Sequence, residues 1–135
     1  MSWLKSDPVV VPRTQTVSSW RMIRAGSSIP TGHHVIYAVG DVAYLTDGSE
    51  MSMMNAVGVT DGSFVALGET IRYMPVNGII AGSLLSGQGD LWAAEDGTLV
   101  SCASVSSNQH TRRVGTLIPP SDIAVDFGII TFKKD

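Results

Sequence analysis

His33, His34, His110 and the single cysteine, Cys102, are the residues best suited to metal or nucleophilic chemistry. Neighbouring residues of a strand point to opposite faces, so His33 and His34 cannot chelate one ion together. His110 stands far along the chain. Neither a His-x-x-x-His nor a Cys-x-x-Cys spacing occurs, so neither a metal nor a cofactor is expected. Cys102 sits in the apolar-periodic run Thr98-Leu99-Val100-Ser101-Cys102-Ala103, the setting of a buried structural thiol. A nucleophilic cysteine needs a basic neighbour to lower its pKa, and the sequence identifies none. Gly82-Ser83-Leu84-Leu85-Ser86-Gly87 has the wrong spacing for a nucleophile elbow. Gly87-Gln88-Gly89 begins like a dinucleotide fingerprint but lacks the third glycine, the following helix and the distal acid. Glu95-Asp96 falls at a turn tip, and Asp122 and Asp126 share the outer face of one strand. Neither pair has a neighbour that would bring a carboxyl toward neutral pH. The expectation is a protein that is not an enzyme.

Composition points the same way. The chain has 135 residues, the size of one domain, and 44% are hydrophobic, enough for a core. Only 16% are charged, below the roughly 25% usual in globular domains, and 14 are glycine. That balance suits a β-rich chain that lays much of its surface against neighbours, and equally a β-domain that is simply rich in turns. A net charge of −3 provides no basic face for nucleic acid or for an anionic membrane. No run approaches the length of a membrane span, and the N-terminus lacks the charged-then-apolar order of a signal peptide, so synthesis in a cytoplasm is expected.

The elements that must position any site read as strands. Gly40-Asp41, Asp47-Gly48, Asp61-Gly62, Asn77-Gly78 and Asp96-Gly97 are tight-turn dipeptides. Residues 33–39 and 41–46 predict one hairpin, and 56–60 and 63–67 a second about Asp61-Gly62. Residues 69–76 lead into Asn77-Gly78, and 90–94 and 98–103 flank the next turn. Residues 113–118 and 122–132 close the chain. In the last run Ile123, Val125, Phe127 and Ile129 alternate with polar or small residues, a period of two. Residues 79–85 are ambiguous between a strand and a short helix, and Pro119-Pro120 could open a helical turn. The predicted fold is all-β, a small β-barrel or β-sandwich of short antiparallel strands. Residues 1–24, with Pro8, Pro12 and no turn glycine, predict an extended N-terminal arm; 25–135 form the body. Removing 1–24 is expected to leave a folded body.

Three features suggest contact with other subunits. The arm carries Trp3, Leu4, Val9, Val10, Val11 and Trp20, apolar residues that need something to pack on, either their own body or a neighbour. Met51-Ser52-Met53-Met54 is a dense patch of adaptable side chains, suited to loop filling or to a subunit contact through Met51, Met53 and Met54. His110-Thr111-Arg112-Arg113 is the one basic cluster. It reads as a solvated loop, or as a site where Arg112 and Arg113 pair with acids of a neighbour.

Residues 25–132 resemble the capsid cement, or decoration, proteins of tailed bacteriophages, in the group long known as DUF2190. The residues that carry this are Ala25-Gly26-Ser27-Ser28-Ile29-Pro30-Thr31-Gly32, Ala56-Val57-Gly58-Val59-Thr60 and Asn77-Gly78-Ile79-Ile80-Ala81-Gly82. They continue with Leu91-Trp92-Ala93-Ala94-Glu95-Asp96-Gly97-Thr98-Leu99, Arg113-Val114-Gly115-Thr116-Leu117-Ile118 and Ile123-Ala124-Val125-Asp126-Phe127. The resemblance implies a virion component on the outer surface of the capsid. It would bind the major capsid protein, form a homotrimer, and use an arm that reaches over adjacent subunits. A tail or fibre module that reads a receptor or glycan, with Trp92 as its aromatic, is the alternative. A small trimeric nucleotide hydrolase of the dUTPase kind is a second, although that family's glycine-led aspartate motif and terminal Phe-Gly segment are missing.

Overall fold

A computed structural model describes residues 19–101 and 108–133. Cys102 lies outside the described residues. The chain is all-β, with a closed five-stranded barrel and a second sheet laid against the barrel's outer wall.

The barrel is built from β1 (Arg21–Ala25), β2 (Val35–Val39), β3 (Val42–Leu45), β4 (Ala56–Thr60) and β5 (Thr70–Pro75), in the order β1-β3-β2-β4-β5. β2 and β3 form the hairpin predicted about Gly40, whose φ of 63° a side chain would resist. β1 runs parallel to β3 and antiparallel to β5, and so closes the ring. Closure leaves this sheet without an edge. Four residues of the expected arm, 21–24, are therefore barrel strand, and the body begins earlier than residue 25. Their partners, β5 for all four and β3 for Arg24, lie far along the chain, so no local pattern displays this role.

The barrel interior holds Ala25, Ile29, Ile36, Ala43, Val65 and Ile71, all buried. Two alanines among branched residues suit the narrow bore of a five-stranded ring. A bulge in β4 keeps both of its faces apolar. Ile36 pairs with Gly58 and Tyr37 with Ala56, so Val57 is the extra residue and packs into the barrel while Ala56 and Val59 pack outside.

The predicted second hairpin does not form. Residues 63–67 form no strand; Val65 bridges Ile29 and packs into the barrel interior. Asp61 captures Ser63 N–H and Arg72, and Gly62 bridges Gly32, so the chain turns across the barrel end instead of doubling back along β4. β4 takes β5 as its partner.

The second sheet has the order β6-β10-β9-β7-β8, where β6 is Ile79–Ile80, β7 Gly89–Ala93, β8 Leu99–Val100, β9 Gln109–Ile118 and β10 Asp122–Val125. β11 (Ile130–Lys133) pairs with the first half of β9, beyond β10 on the same side. The alternation predicted from Ile123 to Ile129 holds for Ile123 and Val125, both buried. It breaks between β10 and β11, and Ile129 is 80% exposed. Residues 79–85 supply β6 and then a loop, not a helix. Pro119 and Pro120, joined by a cis bond, lie in the turn from β9 to β10.

The larger core lies between sheet and barrel. Val35, Val59 and Met74 on the barrel's outer wall meet Leu91, Val114, Leu117, Ile123 and Val125 of the sheet. β2 is thus buried on both faces, with Val35 toward the sheet and Ile36 toward the bore. β9 and β10 approach so closely at Gly115 that a Cβ there would overlap the Ala124 carbonyl.

Candidate functional site

The fold draws two of the sequence candidates, the methionine patch and the His110–Arg113 cluster, to one corner. Met51–Met54 forms a single 3₁₀ turn beside the first half of β9. Gly48, just before the turn, accepts from His110 through both the backbone N–H (2.6 Å) and Nδ1 (3.0 Å). Arg112 then locks three segments together. Its Nε and Nη2 donate to Gly128 O at 2.9 and 2.6 Å, and Nη1 donates to Met54 O at 3.1 Å. Its guanidinium also lies 5.0 Å from the Phe127 ring centroid. Burial pulls the Arg112 pKa below its ordinary value, which leaves it charged at any physiological pH. Around this clamp Met51 (59%), Ile129 (80%) and Phe132 (48%) are exposed, and Phe132 leans on the His110 ring at 4.6 Å.

The individual expectations separate here. Trp3, Leu4, Val9, Val10 and Val11 lie outside the described residues. Met51 is at the surface and Met53 half-buried, but Met54 is fully buried and belongs to the core, so it offers no contact surface. The 110–113 segment is strand and not a solvated loop. Arg112 spends its hydrogen bonds on carbonyls of its own chain. Arg113 is likewise engaged internally, with Asp90 at 3.1 Å, Asp126 at 3.8 Å and Thr116 Oγ1 at 2.6 Å. The acids expected from a neighbour are thus supplied by β7 and by the segment after β10. Spacing could not show this, because Asp90 and Arg113 meet only through the pairing of β7 with β9.

Trp20 is half-buried beneath Arg72, whose guanidinium carbon lies 4.3 Å from the ring centroid. The two share a cleft of about 150 Å³ with His33, Asp61 and residues 80–84. Burial pushes the Asp61 carboxyl up, but hydrogen bonds from Ser63 and the Arg72 guanidinium outweigh it and hold the pKa below the ordinary aspartate value. Asp96 is also lowered, first by the Thr98 backbone N–H (3.0 Å) and then by the Thr98 hydroxyl. His33 and His34 are both buried and separately bonded, His33 to Thr60 O and Leu84 N and His34 to Gly32 O. The sequence reading of opposite faces fits this; the role of His33 as a tie to residue 84 had no sequence signal. A second cavity, about 350 Å³, is walled by Leu85, Leu91, Leu99 and Leu117.

Among the described residues no group of three or more His, Cys, Asp or Glu could hold a metal ion, and no helix is long and apolar enough to cross a membrane. No protein-family model, curated protein or solved structure matches the chain.

Proposed function

We propose that this chain is a virion structural protein of the capsid cement kind, which binds the major capsid protein on the outer face of a phage shell as a homotrimer. The observation that supports this reading best is the corner at β9. It presents Met51, Ile129 and Phe132 to solvent on a frame fastened by Arg112, while both cores are complete without them. Exposed apolar side chains grouped among polar ones are the usual mark of a protein contact. A frame already rigid loses little conformational entropy on docking. A component that binds only the assembled shell stabilises it by mass action.

The test is occupancy on expanded shells, followed by sedimentation, with the solution mass measured by light scattering. The full chain is expected to be trimeric and to co-sediment at saturating, stoichiometric occupancy. The double variant Met51→Asp, Phe132→Asp should stay folded and lose most of that occupancy. A folded full chain that never sediments with shells would overturn the proposal.

A further inference from the structure

We propose that residues 81–87 form a strap that acid loosens at Leu84, where the side-chain acceptor His33 is the trigger, while Asp122 holds it at Gly82. The strap joins β6 to the approach of β7. Asp122 Oδ1 accepts from Gly82 N–H at 3.0 Å, and His33 Nε2 accepts from Leu84 N–H at 3.0 Å.

The tautomer of His33 follows from its partners. Thr60 O, 2.8 Å from Nδ1, can only accept, so Nδ1 carries the hydrogen. Leu84 N–H can only donate, so Nε2 presents its lone pair. The imidazole is therefore neutral in this arrangement. A second proton on Nε2 would set one N–H against another, and the tie to Leu84 would be lost. The ring has little room to turn away. It is only 5% exposed, and Gly62 is so close that a Cβ there would come within 3.4 Å of the ring carbon Cε1.

The charged groups that face His33 across the cleft are Asp61 and Arg72, paired with each other at 3.1 Å; His34, next along the chain, turns to Gly32 O instead. On the Asp122 side, the nearest strands contribute Asp90 and Arg113, also paired at 3.1 Å, with Asp126 sharing Arg113. Neither ion pair includes a strap residue. Three bonds remain when the His33 tie is lost: Gly82 N–H to Asp122 Oδ1 at 3.0 Å, Ser83 N–H to Ser121 O at 2.7 Å and Gly87 N–H to Pro120 O at 3.4 Å. Gly82 (φ 62°) and Gly87 (φ 116°) stand near the two ends, where glycine tolerates rotation. Release is therefore a local loosening at Leu84 and not unfolding.

The strap separates the polar cleft from the apolar cavity. Ala81 to Leu84 line the first, while Leu85 and Ser86 line the second together with Leu91, Leu99 and Leu117. Leu84, 66% exposed, already has its side chain outside.

The experiment follows backbone amide exchange and imidazole nitrogen shifts in the ¹⁵N-labelled full chain as the pH is lowered from about 8 to 5, corrected for the intrinsic pH dependence of exchange. Protection of the Leu84 amide should fall about tenfold in step with His33 titration, the scale of one buried hydrogen bond. Core amides of Val59 and Met74 should keep theirs. In His33→Gln the side-chain carbonyl can still accept from Leu84 but cannot take a proton, so protection should be flat with pH. Unchanged Leu84 protection while His33 titrates overturns the proposal, as does loss only together with Val59 and Met74. If the glutamine variant does not fold, the wild-type titration decides alone. Shell binding is not needed for either readout.

Discussion

Replacing Arg112 by methionine removes a cation while keeping most of the stem's volume, and so isolates the clamp. Three donated bonds are lost, two to Gly128 O and one to Met54 O. Bonds from a charged group contribute about 1.5–3 kcal/mol each when buried. The two bonds to Gly128 O share one acceptor, and the site is only half-buried, so water can reach the freed carbonyls in part. Counting one full bond and a reduced second, we expect a loss of about 2–3 kcal/mol. For a chain of this size that lowers Tm by roughly 10 °C. Urea denaturation at neutral pH measures the change through the shift in midpoint at constant slope. Arg112→Lys should recover less than half, because an ammonium cannot reach two carbonyls with a planar fork. A loss below about 0.5 kcal/mol would refute the clamp. Normal stability with lost association would instead mark Arg112 as a subunit contact.

Thr46 is fully buried, and its hydroxyl has no hydrogen-bond partner among the described residues. Thr46→Val should therefore stabilise the fold by about 1 kcal/mol in the same denaturation assay, and a loss would mean that the hydroxyl is bonded in solution. Asp61 and Asp96 have folded pKa values below that of an unfolded aspartate. Their contribution to stability is present above about pH 4 and is lost as pH falls through the folded values. Asp61→Asn should flatten that acid limb of stability against pH; an unchanged limb would assign it to other groups. Deleting residues 1–18 should leave a cooperative thermal transition, whereas deleting 1–24 removes most of β1, opens the barrel between β3 and β5, and should abolish the transition. Equal behaviour of the two truncations would contradict a closed barrel.

Local pattern alone was enough for the all-β class, the β2–β3 hairpin and the boundaries of β4, β5 and β7, because period-two alternation and turn dipeptides act over a few residues. It also put His33 and His34 on opposite faces, and the partners they bond, Thr60 and Leu84 for one and Gly32 for the other, came only from the structure. The second predicted hairpin failed for a reason that local pattern does not contain: Asp61 and Gly62 make a good turn, but bonds to Arg72 and Gly32 draw the following residues across the barrel end. Closure by β1 rests on a parallel pairing with β3 and an antiparallel one with β5, and the burial of Met54 on a core shared with Val114 and Val125, about 60 and 70 residues away. The same holds for the site. The residue types at Met51–Met54 and His110–Arg113 were legible as surface candidates, but one amino acid's chemistry does not state its partner. Arg112 could have met an acid of a neighbour, and tertiary packing instead set it between Gly128 and Met54. The sequence by itself determined which segments are strands and which residues are free to be interesting. The tertiary structure decided which of them are spent holding the fold, because hydrogen-bond capacity is finite and distant strands claim it first.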